Sequence, residues 1–165
     1  SLIFSIFHSF GSGYASEKYG LLFHNRGAGF TLKDGHPNEL IGGKRPLHTI
    51  IPAMLTKNNE LLLVYGVMGG QYQPAGHVRI LSNIIDYNFD IQSAIDSPRS
   101  FADSSGLLLE HGYDEKISNQ LKAMGHEVIR PIAPLGGAQG VLIDQDRGIL
   151  VGGSDPRKDG LAIGH

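Results

Sequence analysis

Alternating apolar and polar positions along the chain predict a series of short β-strands. The pattern, interrupted by turn residues, predicts strands at residues 1–10, 20–23, 49–56, 60–65, 107–110, 128–130, 138–144 and 148–153. Polar turns at residues 57–59 and 145–147 separate the members of two strand pairs. Each of these pairs is therefore a predicted β-hairpin.

Helical periodicity marks the segments 75–86, 91–95 and 114–125. Their apolar side chains recur at the spacing of about 3.6 residues that gathers them on one helix face. Residues 31–46 are polar and broken by Gly and Pro, which predicts a long surface connection. Because the strands do not alternate strictly with helices, the order favours an antiparallel α+β sandwich over a doubly wound parallel sheet.

Composition narrows the class of protein further. A chain of 165 residues with 41% apolar and 18% charged residues is typical of one globular domain. A net charge of −2 gives no electrostatic reason to expect nucleic acid or an anionic membrane as partner. No apolar run reaches the roughly 18 residues of a membrane span. Without cysteine, the chain has no disulfide framework, thiolate nucleophile or Cys-based zinc site.

The strongest local feature is the glycine-rich junction at residues 66–70, between a predicted strand and a predicted helix. The consecutive glycines Gly69 and Gly70 allow a close backbone approach to a ligand, and N–H groups at a helix start can bind negative charge. An oxyanion hole needs such donors. An ordinary strand-to-helix turn explains the same residues, and the spacing fits neither a dinucleotide fingerprint nor a P-loop.

Other candidate residues are ambiguous when each is taken alone. Arg26 lies among glycines, where its planar guanidinium suits a carboxylate, but a solvated arginine is equally compatible. His48 beside Thr49 invites a general-base interpretation, and a structural histidine is the alternative. The histidines lack H-x-x-x-H spacing, so a zincin-like metal site is not predicted, and no G-x-S-x-G elbow presents a serine.

Six stretches, taken in order, resemble the small subunit of γ-glutamyltransferases. They read SFGSG at 9–13, GLLFHN at 20–25, GKRPL at 43–47, GVMGG at 66–70, AIDSPR at 94–99 and GSDPR at 153–157. Each stretch is weak alone, but the ordered set runs along nearly the whole chain. The stretch from Asn25 to Phe30 is more similar to the γ-glutamyltransferase-related branch, which shades into cephalosporin acylases, than to the classical enzymes.

The resemblance implies an αββα sandwich of the N-terminal-nucleophile (Ntn) hydrolase type, built from two chains that self-cleavage cuts from one precursor. The implied nucleophile is a threonine at the new N-terminus, whose own α-amine, with a pKa near about 8, takes the hydroxyl proton. That threonine would lie upstream of Ser1. Residues 1–165 are then expected to form one domain, the C-terminal portion of the small catalytic subunit, which is inactive alone.

The resemblance also implies partners. The large subunit from the same precursor would complete a heterodimer, or a dimer of heterodimers, that acts on a small-molecule amide substrate and needs no cofactor or metal.

Family roles can be carried over to individual residues. Gly69 and Gly70 match the glycine pair that supplies the oxyanion hole, and Ser5 matches a hydroxyl residue that supports the nucleophile. His48 and Thr49 match two serines that hold the donor's carboxylate.

Arg26 and Gly29 match positions that grip the γ-glutamyl group, but here the sequence departs from the family pattern. Gly29 stands where an acidic residue would bind the substrate ammonium, Phe7 where an amide is expected, and His48 where a hydroxyl is expected. The missing carboxylate removes a charge-assisted bond of roughly 1.5–3 kcal/mol. Arg26 can instead clamp a carboxylate directly, as a glutaryl-type acyl group presents. We therefore expect an amidohydrolase with weak transferase activity, acting on γ-glutamyl or similar carboxylate-bearing acyl amides such as glutathione.

Two alternatives remain open. The chain could be a family member that has decayed into a binding or structural protein. It could also be an unrelated small α+β domain that holds an anion at residues 66–70.

Overall fold

The computed structural model describes residues 2–164, so Ser1 and His165 lie outside the described part of the chain. The described residues form two compact units, Leu2–Ile50 and a second unit that begins at Ile51. Within residues 2–164, no helix combines the length and the hydropathy that crossing a bilayer requires.

The first unit consists of turns and extended segments around one short 3-10 helix, Arg26–Gly29. The strand predicted at residues 1–10 is wrong over its described part, residues 2–10. Its backbone enters the left-handed region at Phe7 and Ser9, with φ of 79° and 46°. A strand requires extended φ at every position, so these two residues interrupt it despite the alternating apolar pattern.

The strand predicted at residues 20–23 is also wrong. Only an isolated antiparallel bridge, between Ala15 and Leu22, forms within this part of the described chain. A second isolated bridge, between Thr31 and Glu39, lies in the long connection.

The second unit carries the named strands and α-helices. They are β1 (Ala53–Lys57), β2 (Glu60–Met68), α1 (Gln73–Ile85), α2 (Ile91–Asp96), β3 (Ser100–Asp103), β4 (Gly106–Leu109), α3 (Glu115–Ala123), β5 (Val128–Ile129), β6 (Gly137–Asp144) and β7 (Ile149–Ser154). The larger sheet has the order β1-β2-β6-β7 and is antiparallel throughout. In the smaller sheet, β4 pairs antiparallel with β3 and parallel with β5. This mixture of helices with a mainly antiparallel sheet confirms the α+β prediction.

Both predicted hairpins are present as β1–β2 and β6–β7. Strand β2 continues through Gly66, which pairs with Gln139 of β6, so the turn predicted at residues 66–70 begins only at Gly69. Strand β3 was not predicted, because its four residues carry too few alternations to be distinguished from a loop.

Helices α1 and α2 pack on one face of the larger sheet. The core between them includes Leu63 and Tyr65 of β2 and Ile91 of α2. Glycines in the sheet allow α2 to approach closely, because a methyl group on Gly140 or on Gly153 would lie 2.9 Å from Ile91 side-chain atoms. The helix layer and the end of β2 together fix the position of the turn at Gly69.

Candidate functional site

The glycine turn between β2 and α1 has backbone geometry that favours glycine. Gly69 has φ of 131° and Gly70 has φ of 59°. Gly70 opens a single 3-10 turn, Gly70–Tyr72, and the Tyr72 N–H donates to the Gly69 carbonyl at 3.1 Å. Both glycines are exposed, whereas Tyr72 is buried. Backbone N–H groups at the start of a helical turn can stabilise negative charge on a bound group.

A second glycine, Gly136, lies directly against this turn. A methyl group on Gly69 would lie 2.8 Å from the Gly136 Cα, closer than real contacts of this kind. A methyl group on Gly136 would overlap the Met68 carbonyl oxygen and come within 2.6 Å of Tyr72 Cδ1. The loop before β6 and the glycine turn therefore touch backbone to backbone.

Arg26 and Thr49, two of the predicted substrate-binding residues, meet in the first unit. The Arg26 Nη1 donates to the Thr49 Oγ1 at 2.6 Å. The Phe7 ring lies below the guanidinium, with its centroid 5.2 Å from the Arg26 Cζ. A guanidinium held by one hydroxyl and one aromatic face keeps further N–H groups for a carboxylate ligand.

Asn25 holds the turn that carries Phe7 next to Arg26. Its Oδ1 accepts from the His8 N–H at 2.9 Å, and its Nδ2 donates to the Gly11 carbonyl at 2.9 Å. The sequence analysis did not single out Asn25 for this role. The one sequence signal for this role is that Asn25 ends the GLLFHN stretch, directly before Arg26. The contact of Asn25 with His8 spans 17 residues and has no local signature.

Phe7 also borders Gly29. A methyl group on Gly29 would meet the Phe7 Cζ at 3.7 Å, an ordinary van der Waals contact. Arg26 and Gly29 are three residues apart in a 3-10 helix, so their side-chain directions coincide. A side chain at position 29 would therefore begin beside the edge of the Phe7 ring, on the helix side that also carries Arg26.

The remaining predicted site residues, Ser5 and His48, form no hydrogen bond with the Arg26–Thr49 pair within the described part of the chain. Ser5 is partly buried, and its Oγ accepts from the Phe7 N–H at 3.2 Å. His48 is exposed beside Thr49. Ser5, Arg26, His48 and Thr49 thus belong to the first unit, whereas Gly69 and Gly70 belong to the second. Their catalytic and binding roles stay predictions.

A buried ionic network occupies the second unit near the glycine turn. Arg99 is 2% exposed and Asp155 is 0% exposed. The Arg99 Nη2 and the Asp155 Oδ2 are 2.5 Å apart. Burial by itself raises the pKa of Asp155, but the Arg157 N–H and the Arg99 guanidinium outweigh it and lower the pKa. Asp155 and Arg157 flank the exposed Pro156 in a turn, and their side chains extend from it into the buried network.

Glu110 links this network to the loop before β6. Its Oε1 accepts from the Leu135 N–H at 2.9 Å, and its Oε2 accepts from the Arg99 N–H at 2.9 Å. Arg157 forms an ion pair with Glu110 at 2.8 Å. Burial raises the pKa of Glu110, but hydrogen bonds from Arg157, Leu135 and Arg99 lower it overall. Sequence reasoning missed Glu110, since no motif surrounds it.

No group of three or more His, Cys, Asp or Glu side chains positioned to hold a metal ion occurs within residues 2–164.

Comparison with known proteins gives consistent results. Residues 1–165 match the family described as gamma-glutamyltranspeptidase. The chain is 36% identical over 172 residues to the glutathione hydrolase-like YwrD proenzyme of Bacillus subtilis, covering 99% of this chain and 33% of the relative. It is 34% identical to the oxamate amidohydrolase proenzyme of Klebsiella pneumoniae, covering 100% of this chain and 33% of the relative.

The solved cephalosporin acylase from Bacillus halodurans has a similar fold. It superimposes with a TM-score of 0.84 and 36% sequence identity, over 98% of this chain and 31% of that chain. The chain thus spans about a third of the length of the curated relatives it matches.

Proposed function

The chain belongs to the gamma-glutamyltranspeptidase family, and from this we propose that it is the C-terminal portion of the small catalytic subunit of an Ntn amidohydrolase. The proposed substrates are acyl amides whose acyl group bears a carboxylate. The observation that carries the substrate proposal is the arrangement of Arg26, Thr49, Phe7 and Gly29.

The proposed reaction proceeds through an acyl-enzyme. An N-terminal threonine, upstream of the present sequence, attacks the amide carbonyl while its own α-amine takes the hydroxyl proton. The N–H groups of Gly69 and Gly70 stabilise the oxyanion, and the protonated α-amine then delivers the proton to the leaving amine. Water attacks the resulting ester and releases the acid. One oxyanion-hole donor is typically worth a factor of about 10²–10³ in kcat.

The residues around Arg26 support a donor that has a carboxylate but no neighbouring ammonium. The guanidinium forms the positive contact, and the Thr49 hydroxyl holds it in place at 2.6 Å. Gly29 offers no carboxylate to an ammonium, and the ring of Phe7 next to it is apolar. An ammonium at this point therefore meets no carboxylate, and the charge-assisted hydrogen bond of roughly 1.5–3 kcal/mol is missing.

The names of the relatives are compatible with this chemistry. The name of the Klebsiella relative contains oxamate, which is an amide whose acyl group carries a carboxylate and no amine. The glutathione hydrolase-like and acylase names of other relatives extend the range to larger acyl groups. Glutaryl-type amides are the proposed preferred donors, with γ-glutamyl amides such as glutathione as poorer ones.

A large-subunit partner is part of the proposal. Met54, Val64 and Val141 are neighbours in the register across β1, β2 and β6, on the side opposite to the buried Tyr65. Met54 is 59% exposed and Val141 is 37% exposed. An apolar sheet face needs a second layer, and in an αββα sandwich that layer is another sheet, here completed by the large subunit to give a heterodimer.

Gly29 and Phe7, which depart from the family pattern, support a second candidate function. A family member that lost its donor site could persist as a binding or structural protein without catalysis. It would share the fold and would differ in its chemistry.

The test uses the full-length precursor. We expect it to cleave itself into two subunits and to hydrolyse glutaryl-p-nitroanilide with a higher kcat/KM than γ-glutamyl-p-nitroanilide. Glycylglycine should accelerate release only weakly. A precursor that neither cleaves nor hydrolyses would favour the decayed family member. A preference for the γ-glutamyl donor, with strong acceleration by glycylglycine, would overturn the substrate proposal.

A further inference from the structure

We propose that Gly136 is a positioning residue that sets the geometry of the Gly69–Gly70 turn, an inference that rests on the oxyanion role proposed above for that turn. Gly136 lies 66 or more positions along the chain from the turn and belongs to the loop before β6. It carries no side chain, so its effect on the reaction has to pass through the shape of the backbone.

The contact between the two segments leaves no room for a side chain on either. Gly136 has φ of 64°, in the region that favours glycine. A methyl group on Gly136 would overlap the carbonyl oxygen of Met68, the residue that precedes Gly69. In the other direction, a methyl group on Gly69 would lie 2.8 Å from the Gly136 Cα. The position of the turn is therefore limited directly by the backbone at Gly136.

The loop that carries Gly136 is anchored by buried charged side chains. The backbone N–H and the backbone carbonyl of Leu135 each form a hydrogen bond with a buried charged side chain. Its N–H donates to the Glu110 Oε1 at 2.9 Å, and its carbonyl accepts from the Arg99 Nη1 at 2.9 Å. Leu135 itself is 8% exposed. Moving this loop would break hydrogen bonds to buried charges, each worth roughly 1.5–3 kcal/mol.

Strain from a side chain at position 136 could also be relieved by movement of the Tyr72 ring, but this ring is held in place. Tyr72 is 3% exposed and its ring packs edge-on against Phe101, with centroids 5.7 Å apart. Its Cδ1 would lie 2.6 Å from a methyl group on Gly136 and 3.3 Å from one on Gly69. With the loop anchored and the ring enclosed, strain introduced at position 136 is relieved most easily by the exposed residues Gly69 and Gly70.

A shift of these two residues changes the reaction in a specific way. Oxyanion donors act only when they lie within hydrogen-bond distance of the oxygen in the transition state. Misplacement by about 1 Å can cost about 100-fold in rate. Donor binding through Arg26 and Thr49 involves other residues, so kcat should fall while KM changes little.

The experiment compares Gly136→Ala with Gly148→Ala in the full-length, self-cleaved protein. Gly148 has φ of 65°, and a methyl group on it would meet nothing within 4 Å. The two variants share the cost of a left-handed alanine and differ in the contact with the turn. For glutaryl-p-nitroanilide we expect Gly136→Ala to lower kcat about tenfold or more, with KM within about twofold. Gly148→Ala should match the wild type.

Each outcome is decisive. If the wild type is active and Gly136→Ala keeps the wild-type kcat, or loses no more of it than Gly148→Ala does, the inference fails and the proposed function stands. If the wild type itself does not hydrolyse the donor, the proposed function fails and this inference fails with it. Circular dichroism checks folding. If Gly136→Ala does not fold, Tyr72→Leu removes the ring that both glycines contact without adding atoms. An unchanged kcat in that variant would overturn the inference, and a lowered kcat with an unchanged KM would support it.

Discussion

Replacing Asp155 by asparagine removes the charge that faces Arg99 inside the second unit, while the side chain keeps its size. Asp155 is 0% exposed and Arg99 is 2% exposed. The Asp155 Oδ2 accepts from the Arg99 Nη2 at 2.5 Å and from the Ala138 N–H at 2.7 Å. The other oxygen, Oδ1, accepts from the Arg157 N–H at 2.9 Å. An amide has only one oxygen, so it cannot accept at both positions, and it leaves the Arg99 guanidinium buried without a counter-charge.

The size of the effect follows from this burial. Removing one partner of a buried ion pair typically costs about 3–5 kcal/mol, since the remaining charge stays desolvated and uncompensated. The lowered pKa of Asp155, in which hydrogen bonds from Arg157 and Arg99 overcome the effect of burial, indicates that the carboxylate is charged in the folded protein. We therefore expect Asp155→Asn to lower the free energy of unfolding by about 3–5 kcal/mol at neutral pH.

Asp144→Asn is the matched control. Asp144 pairs with Arg147 at 3.8 Å, and the arginine side chain is 73% exposed. Surface pairs of this kind contribute about 0–1 kcal/mol. The assay is urea unfolding of the assembled full-length protein, followed by circular dichroism. If the two variants lose stability to the same extent, the reasoning that burial sets the cost is refuted.

Three further predictions concern substrate, packing and pH. Arg26→Lys should lower kcat/KM for glutaryl-p-nitroanilide about tenfold or more, because an ammonium lacks the planar fork of the guanidinium. Gly140→Ala should lower the free energy of unfolding by about 1–3 kcal/mol, since its methyl group would lie 2.9 Å from the Ile91 Cδ1. Burial lowers the pKa of His77 from 6.5. The unfolded chain therefore binds a proton that the folded state resists, and stability should fall as pH drops below 6.5 towards the lowered pKa.

Each of these has a control and a contradicting result. Arg147→Lys changes an exposed arginine and should leave the kinetics unaltered; equal losses in both variants would contradict the role of Arg26. A methyl group on Gly42 meets nothing within 4 Å, so unfolding of Gly42→Ala should match the wild type, and an equal loss in both glycine variants would contradict overpacking. For the pH prediction, His77→Gln should flatten the dependence of the free energy of unfolding on pH below 6.5. An unchanged slope would show that other groups cause the dependence.

The parts of the fold that local sequence controls were predictable. The hairpins β1–β2 and β6–β7 follow from apolar runs around polar turns, and helix α1 follows from its periodic face and the glycines before it. Residues 2–10 have the same kind of alternation but form no strand. Their backbone is set by a contact with Asn25, 17 residues away.

The candidate site was predictable in its residues and less so in their contacts. The ordered motifs contain Gly69 and Gly70 and lie just before Arg26 and Thr49, but the hydrogen bond between Arg26 and Thr49 joins residues 23 positions apart. The pair of Arg99 and Asp155 spans 56 positions. Both residues lie in motifs of the ordered set, AIDSPR and GSDPR, but the motifs do not show that the two side chains meet, because such a contact depends on the packed core.

The central claim, an acyl-enzyme amidohydrolase whose nucleophile precedes this sequence, is tested most directly by intact mass spectrometry. The full-length protein is mixed with glutaryl-p-nitroanilide and quenched in acid during turnover. We predict two chains, with the smaller one beginning at a threonine and carrying one glutaryl group as an ester. A single uncut chain, or a cut chain that turns over the donor without any acyl adduct, would contradict the account.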